Sequence, residues 1–240
     1  MSGHNRWSTI KHKKAAADAK KSKNWTKLIK EISIAARSGG DPGGNPRLRT
    51  AIDKARGANI PTDTIDRAIK KGTGELGADS VEELVYQAYG PGGVAIVIEL
   101  ATDNRNRTAA ELRKLLERQN AKIDPSGSVL HKFKKRGQIL FDAEKQTEDA
   151  VTEVALEAGA DDVRAEGDTI VVLTEPGACQ SIKEAFEKKG MTPIDAEVGM
   201  LPELTVALNE KDAELIGRLV AALEEHEDVM NVYTNHEEGT

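Results

Sequence analysis

The chain has a single cysteine, Cys179, among 240 residues. One thiol excludes a disulfide framework and any cysteine-based zinc site, and its neighbours do not activate it, so a small packing residue on a helix is expected there. Aromatic residues make up only 3% of the chain. No apolar run approaches the roughly 20 residues of a membrane span, and the first residues lack the apolar core of a signal peptide. Met1-Ser2-Gly3 is not a myristoylation start. The expectation is a soluble, cytoplasmic protein without a membrane partner. His4, His12, His131, His226 and His236 show no metal-ligand spacing and are read as surface polar residues, with no metal and no cofactor. Gly39-Gly40-Asp41-Pro42-Gly43-Gly44 lacks a following Gly-Lys-Ser/Thr and is read as a flexible loop rather than a phosphate cradle. No nucleophile elbow or Cys/His pair appears, so no catalytic residue is assigned and a non-enzymatic protein is expected.

What the sequence does have is charge, unevenly placed. Residues 1–72 hold 17 Lys and Arg against 6 Asp and Glu, a net of +11, whereas the remainder holds 17 against 34, a net of −17. Between Arg6 and Lys30 only Asp18 opposes Arg6, Lys11, Lys13, Lys14, Lys20, Lys21, Lys23, Lys27 and Lys30. Such a run repels itself unless an anion neutralises it, and a basic head on an acidic body is the pattern of a chain that meets nucleic acid with one part only. Trp7 and Trp25 lie within or beside this run, where exposed rings could stack on unpaired bases.

Apolar spacing predicts three helices in this head: Asn24 to Arg37, with Trp25, Leu28, Ile29, Ile32 and Ala36 on its core face, one opened by Asn45-Pro46, and one from Pro61 to Lys70-Lys71-Gly72. They are expected to form a small bundle, with the lysine-rich arm before Asn24 partly helical at most. Strands then follow at Leu84–Tyr89 and Val94–Leu100 around a Gly90-Pro91-Gly92-Gly93 turn. Thr108 and Glu111 have capping-box spacing and predict a helix from there to about Gln119; Ser128–Phe133 reads as a further strand. Residues 137–201 spell β-α-β-β-α-β, the ferredoxin-like pattern. This unit is acid-rich and its Thr169–Thr174 strand has no aromatic, which argues against an RNA-stacking platform and for a spacer or protein-contact module. Strand Leu204–Leu208, a helix capped by Asn209 and strand Val229–Thr234 are expected to complete the sheet begun at Leu84. The fold class is therefore α+β: a basic helical bundle at 1–78, an α/β sandwich-type domain at 79–136 and 202–240, and an inserted ferredoxin-like acidic domain at 137–201.

The most concentrated polar site is Thr102–Thr108, where a strand end meets a helix N-terminus. Backbone N–H groups, the helix dipole and Arg105 could together cup a phosphate; the competing reading is a capped turn whose arginines pair with nearby acids. Glu99 with Asp103 is a weak candidate for Mg²⁺.

Gly3-His4-Asn5-Arg6-Trp7, Lys13-Lys14-Ala15, Gly39-Gly40-Asp41-Pro42, Asn45-Pro46-Arg47-Leu48-Arg49, Gly90-Pro91-Gly92-Gly93-Val94 and Thr102-Asp103-Asn104-Arg105-Asn106-Arg107-Thr108 together resemble the YebC family over essentially the whole chain, with Asn5 where Ser is usual. The resemblance implies a three-domain α+β protein acting in gene expression. Family roles include DNA-binding transcriptional control and ribosome-associated assistance past difficult stretches, notably consecutive prolines. Partners expected on this basis are rRNA or tRNA on the ribosome, or alternatively DNA, with protein contacts through the acidic domains. The candidate nucleic-acid-binding residues are Arg6, Trp7, Lys11, Lys13, Lys14, Lys20, Lys21, Lys23, Lys27, Arg47, Arg49, Asn104, Arg105 and Arg107.

Overall fold

A computed structural model describes residues 21–77 and 81–237, with side chains from Trp25 onward. The basic arm before residue 21 lies outside the described residues. Helix α1 spans Lys21–Ala36, α2 Pro46–Gly57 and α3 Thr62–Thr73. Their apolar faces meet as the spacing predicts, with Ile32, Ala35, Leu48, Ala51, Ile52, Ala55, Ile65 and Ala68 in one core. Asn45 opens α2 by accepting the Leu48 N–H at 3.1 Å, and its amide donates to the carbonyls of Ala35 and Gly39 at 2.7 and 2.8 Å. Arg49 donates to the carbonyls of Pro42 and Gly43, so the glycine-rich loop expected to be flexible is tied down along its length.

Two sequence readings in this region are corrected. Gly72 does not end α3. A Cβ there would lie 2.2 Å from the Ser33 carbonyl oxygen, so the residue marks the closest approach of α3 to α1. The helix stops at Thr73, and Gly74 takes the left-handed conformation (φ 83°) that a C-terminal cap requires. Trp25 follows its place on the apolar stripe rather than the stacking reading: it packs on the helical core, and its indole N–H donates to the Ala58 carbonyl at 3.0 Å.

Beyond the bundle, β1 (Glu82–Tyr89) pairs antiparallel with β2 (Ala95–Thr102), in register from Glu82↔Thr102 to Tyr89↔Ala95. Helix α4 spans Arg105–Arg118, and a two-residue strand β3 (Lys122–Ile123), which no periodicity announces, pairs with β1. The helix begins earlier than Thr108. Asn104 is the cap, accepting the Arg107 N–H at 3.1 Å, and Thr108 lies buried inside the first turns. Asn and Thr both suit an N-cap, and here the upstream candidate wins because Thr108 is engaged elsewhere.

Ser128–Phe133 is not a strand: Leu130–Lys132 forms a 3-10 turn, and β4 runs from Phe133 to Asp142. Helix α5 (Glu148–Ala158), β5 (Asp162–Glu166), β6 (Thr169–Thr174), α6 (Cys179–Lys188) and β7 (Asp195–Pro202) follow, giving a sheet ordered β5-β6-β4-β7. That order, with every pair antiparallel, is the ferredoxin-like topology. Cys179 is buried at the start of α6, as expected of a packing residue. Helix α7 (Glu210–Glu225) and β8 (Val229–Thr234) close the chain, and β8 joins the first sheet, ordered β3-β1-β2-β8. Leu204–Leu208 forms no strand; it contributes one isolated bridge, Val206↔His236.

By internal contacts the chain divides into two units. Of the described residues, one holds those up to Ser126 together with Asn209–Val232, and the other holds Gly127–Leu208 together with 233–237. In the first, Ile34 of α1 joins Val81, Ala101 and Met230 in a small apolar cluster, so the bundle and the first sheet share packing. No described helix is long and apolar enough to cross a membrane.

The Gly72 contact generates a stability test. Gly72→Ala is expected to destabilise by about 1–3 kcal/mol, because the added methyl meets backbone that cannot yield. Gly57→Ala, at the end of α2 with nothing within 4 Å of an added Cβ, is expected to be neutral or about 0.5 kcal/mol stabilising. Urea unfolding of the two variants checks the pair, and equal effects would contradict it.

Candidate nucleic-acid interface

Six of the predicted contact residues have described side chains, and the structure treats them unequally. Lys27 points its ammonium at the Glu224 carbonyl, 3.1 Å away at the C-terminal end of α7. Arg47 pairs with Glu83 at 2.5 Å, which raises the arginine's pKa, and Arg49 holds the glycine-rich loop. Asn104 caps α4. Arg107 bridges Asp103 at 3.3 Å and Asp228 at 3.2 Å, and Asp228 above all raises its pKa. Arg105 is exposed and makes no hydrogen bond or ion pair among the described residues. Arg6, Trp7, Lys11, Lys13, Lys14 and Lys20, and the side chains of Lys21 and Lys23, lie outside the described residues.

The feature that organises this surface was not visible in the sequence. Asp228, between α7 and β8, is 1% exposed. One carboxylate oxygen accepts from Lys30 of α1 at 2.5 Å. The other accepts from Thr108 at 2.6 Å, Thr102 at 3.2 Å and Arg107 at 3.2 Å. Burial by itself would raise its pKa, but the bonds from Lys30, Thr108 and Arg107 and the Lys30 charge override it and hold the carboxyl at about 2. The network continues outward in one direction: the Asn104 N–H donates to the Thr102 hydroxyl, which lies 2.8 Å from that of Thr108. The main chain of Asp228 is also engaged, its carbonyl accepting the Ala101 N–H at 2.8 Å.

His226 is not the free surface residue the sequence suggests. Its Nδ1 accepts the Asp228 N–H at 3.1 Å and its Nε2 faces Glu111 at 2.9 Å. Since Nδ1 is the acceptor, Nε2 carries the proton of the neutral ring and donates to Glu111. Glu111, His226 and Asp228 offer ligand-type atoms within 4.8 Å of one another. Asp228 already faces Lys30, Arg107 and two threonine hydroxyls, His226 Nδ1 faces a backbone N–H and Glu111 faces the His226 ring, so the geometry is that of a clamp rather than a cation cage. Glu99 and Asp103 do not act together either: Glu99 accepts from Asn231 at 2.9 Å, and Asp103 faces Lys71 and Arg107.

The ferredoxin-like sheet presents no base-stacking surface on its central strands. Ile139, Phe141, Ile170 and Val172 point into the helix-covered core, and Phe141 rests 4.6 Å from the Phe186 ring. Leu140 and Val171, on the alternate face, are also buried.

Residues 5–75 match the TACO1/YebC protein N-terminal domain, and residues 81–236 match the TACO1/YebC second and third domain. A probable transcriptional regulatory protein of Treponema pallidum (strain Nichols) is 51% identical over 236 residues, covering 98% of this chain and 96% of that protein. A protein of the same description from Geobacter sulfurreducens is 52% identical over 241 residues, covering 100% and 97%. The crystal structure of a conserved hypothetical protein from Aquifex aeolicus is similar with a TM-score of 0.83 at 40% identity, over 92% of this chain and 91% of that one.

The Asp228 carboxyl makes stability depend on acid. Its folded pKa of about 2 lies below the ordinary 3.8, so its contribution is complete above about pH 4 and is lost as the pH falls toward 2. The gap corresponds to about 2 kcal/mol. Asp228→Asn is therefore expected to be less stable than wild type by about that amount at pH 7, with the difference narrowing between pH 4 and 2. Urea melts across that range check it; a gap independent of pH would refute the assignment.

Proposed function

The chain belongs to the TACO1/YebC family, and from that premise we propose that it is a non-enzymatic regulator of gene expression that binds nucleic acid. The basic head grips phosphate, and Arg105 at the start of α4 makes a second contact. The observation that carries this reading is the contrast within one turn: Arg107 is locked onto two carboxylates, whereas Arg105 beside it is exposed without a partner among the described residues. An exposed guanidinium at a helix N-terminus adds to the dipole's attraction for an anion. The domain at 1–78 then serves as the nucleic-acid module, and the acidic unit, whose central strands offer no stacking ring, serves as a spacer or protein contact.

Action on the ribosome through rRNA or tRNA, assisting translation of proline-rich stretches, is the reading we favour. The arm is rich in lysine and carries Trp7, which suits irregular RNA with accessible bases. Transcriptional control on DNA is the second reading, and it is favoured by the description that the Treponema and Geobacter relatives carry.

Reversing Lys13, Lys14, Lys20 and Lys21 to Glu is expected to abolish binding with little change in the circular dichroism spectrum. Wild-type affinity is expected to fall about a thousandfold between roughly 50 and 200 mM salt, given roughly six phosphate contacts. Arg105→Ala is expected to weaken ribosome association about tenfold, the loss of one charge-assisted hydrogen-bond set. Ribosome profiling of that variant beside chromatin immunoprecipitation of the wild type separates the two readings. Discrete promoter occupancy without altered pausing would favour DNA.

A further inference from the structure

We propose that Asp228 is a positioning residue of this interface: it withholds Lys30 and Arg107 from phosphate and fixes the first turn of α4 so that Arg105 is the cation presented there. The proposal rests on the nucleic-acid reading above. Four donors from three elements converge on one buried carboxylate: Lys30 of α1, Thr102 of β2, and Arg107 and Thr108 of α4. Lys30 is held a second time by the Glu227 carbonyl at 2.9 Å and is only 16% exposed on its side chain. The turn from Thr102 to Thr108 is thus secured at both ends, through Thr102 at the strand end and Thr108 inside the helix. The Asn104 N–H bonded to Thr102 and the Asn104 cap on Arg107 fix the residues on either side of Arg105.

A cation already satisfied by a buried carboxylate has little to gain from a solvated phosphate, because the exchange removes a charged donor from a carboxylate that water does not reach. Arg107 remains partly exposed, yet its guanidinium is oriented by Asp103 and Asp228. Without Asp228, Lys30 would keep only the Glu227 carbonyl and Arg107 only the exposed Asp103, so both would be freer to join Arg105 in meeting a polyanion. With it, one arginine stands at a defined place.

The slope of log affinity against log salt distinguishes positioning from contact, since each direct contact to a single strand contributes about 0.7 to it. Binding of poly(U) RNA would be measured across a salt series for wild type, Arg105→Ala, Arg107→Gln, Arg105→Ala with Arg107→Gln, and Asp228→Asn. Arg107→Gln alone is expected to weaken binding about threefold by loosening Arg105. In the Arg105→Ala background the same change is expected to alter neither affinity nor slope. Asp228→Asn is expected to steepen the slope by about 0.7 for each cation it releases. A loss of about 0.7 in slope on adding Arg107→Gln to Arg105→Ala would make Arg107 a direct contact and overturn the proposal. An unchanged slope in folded Asp228→Asn would overturn it as well. The Arg107 comparison leaves the buried carboxylate intact, so it decides the matter even where Asp228→Asn weakens the fold. A flat salt response of the wild type is a different result: it removes the nucleic-acid reading itself.

Discussion

A carboxylate cannot remain ionised out of water without donors, and Asp228 gathers its donors from segments more than a hundred residues apart in sequence. Satisfying that one group requires α1, the end of β2, the start of α4 and the α7–β8 corner to arrive together. The hydrophobic contacts around it, such as Ile34 with Val81, Ala101 and Met230, are non-directional and would tolerate some sliding. The carboxylate does not. It sets the register in which the helical bundle meets the first sheet, and so connects the basic part of the chain to the turn that bears Arg105.

The same corner resolves a second electrostatic demand. Helix α7 has no basic residue in its last turn, so nothing of its own faces the partial negative charge of its final carbonyls. Lys27 donates to the Glu224 carbonyl and Lys30 to that of Glu227, in the residues that follow the helix. Two lysines that the charge run assigns to an external anion therefore act partly as caps supplied from another element. A basic stretch in a sequence is a count of charges. How many of them a polyanion can reach depends on what the fold has already placed opposite them.

The parts of the fold that are legible in the sequence are those written in local periodicity. The stripe through Trp25, Leu28, Ile29, Ile32 and Ala36 and the Asn45-Pro46 start place the bundle, and the β-α-β-β-α-β order places the ferredoxin-like sheet. Errors arise where two local signals compete or where tertiary contact decides. Asn104 and Thr108 are both good caps, and only the pull of Asp228 on Thr108 separates them. Gly72 resembles a helix stop, but its lack of a side chain is needed for the Ser33 backbone. Trp25 carries two local signals, a core-stripe position and an aromatic in a basic run, and the first prevails because its indole N–H finds Ala58, 33 residues away. For the site, the Thr102–Thr108 turn is readable as a strand end meeting a helix. The division of labour between Arg105 and Arg107 is not, because it is dictated by an acid 121 residues from Arg107.

These constraints also bear on where nucleic acid can be recognised. A ferredoxin-like sheet that reads RNA leaves one face of its central strands open and places rings on it. Here Phe141 is buried against Phe186, and both alternating faces of β4 and β6 are buried, through Ile139 and Val172 on one side and Leu140 and Val171 on the other. Adding aromatic residues to exposed positions elsewhere in that unit would not recreate such a platform, since the middle of the strands that would carry it is buried on both sides. The central strands of the second sheet are therefore packed as core rather than arranged to stack bases. Around the Asp228 corner, Lys27, Lys30, Lys71 and Arg107 are already held by acids or carbonyls, whereas Arg105 makes no hydrogen bond or ion pair among the described residues; under the proposed nucleic-acid reading, that turn is where phosphate would meet unopposed charge at this corner.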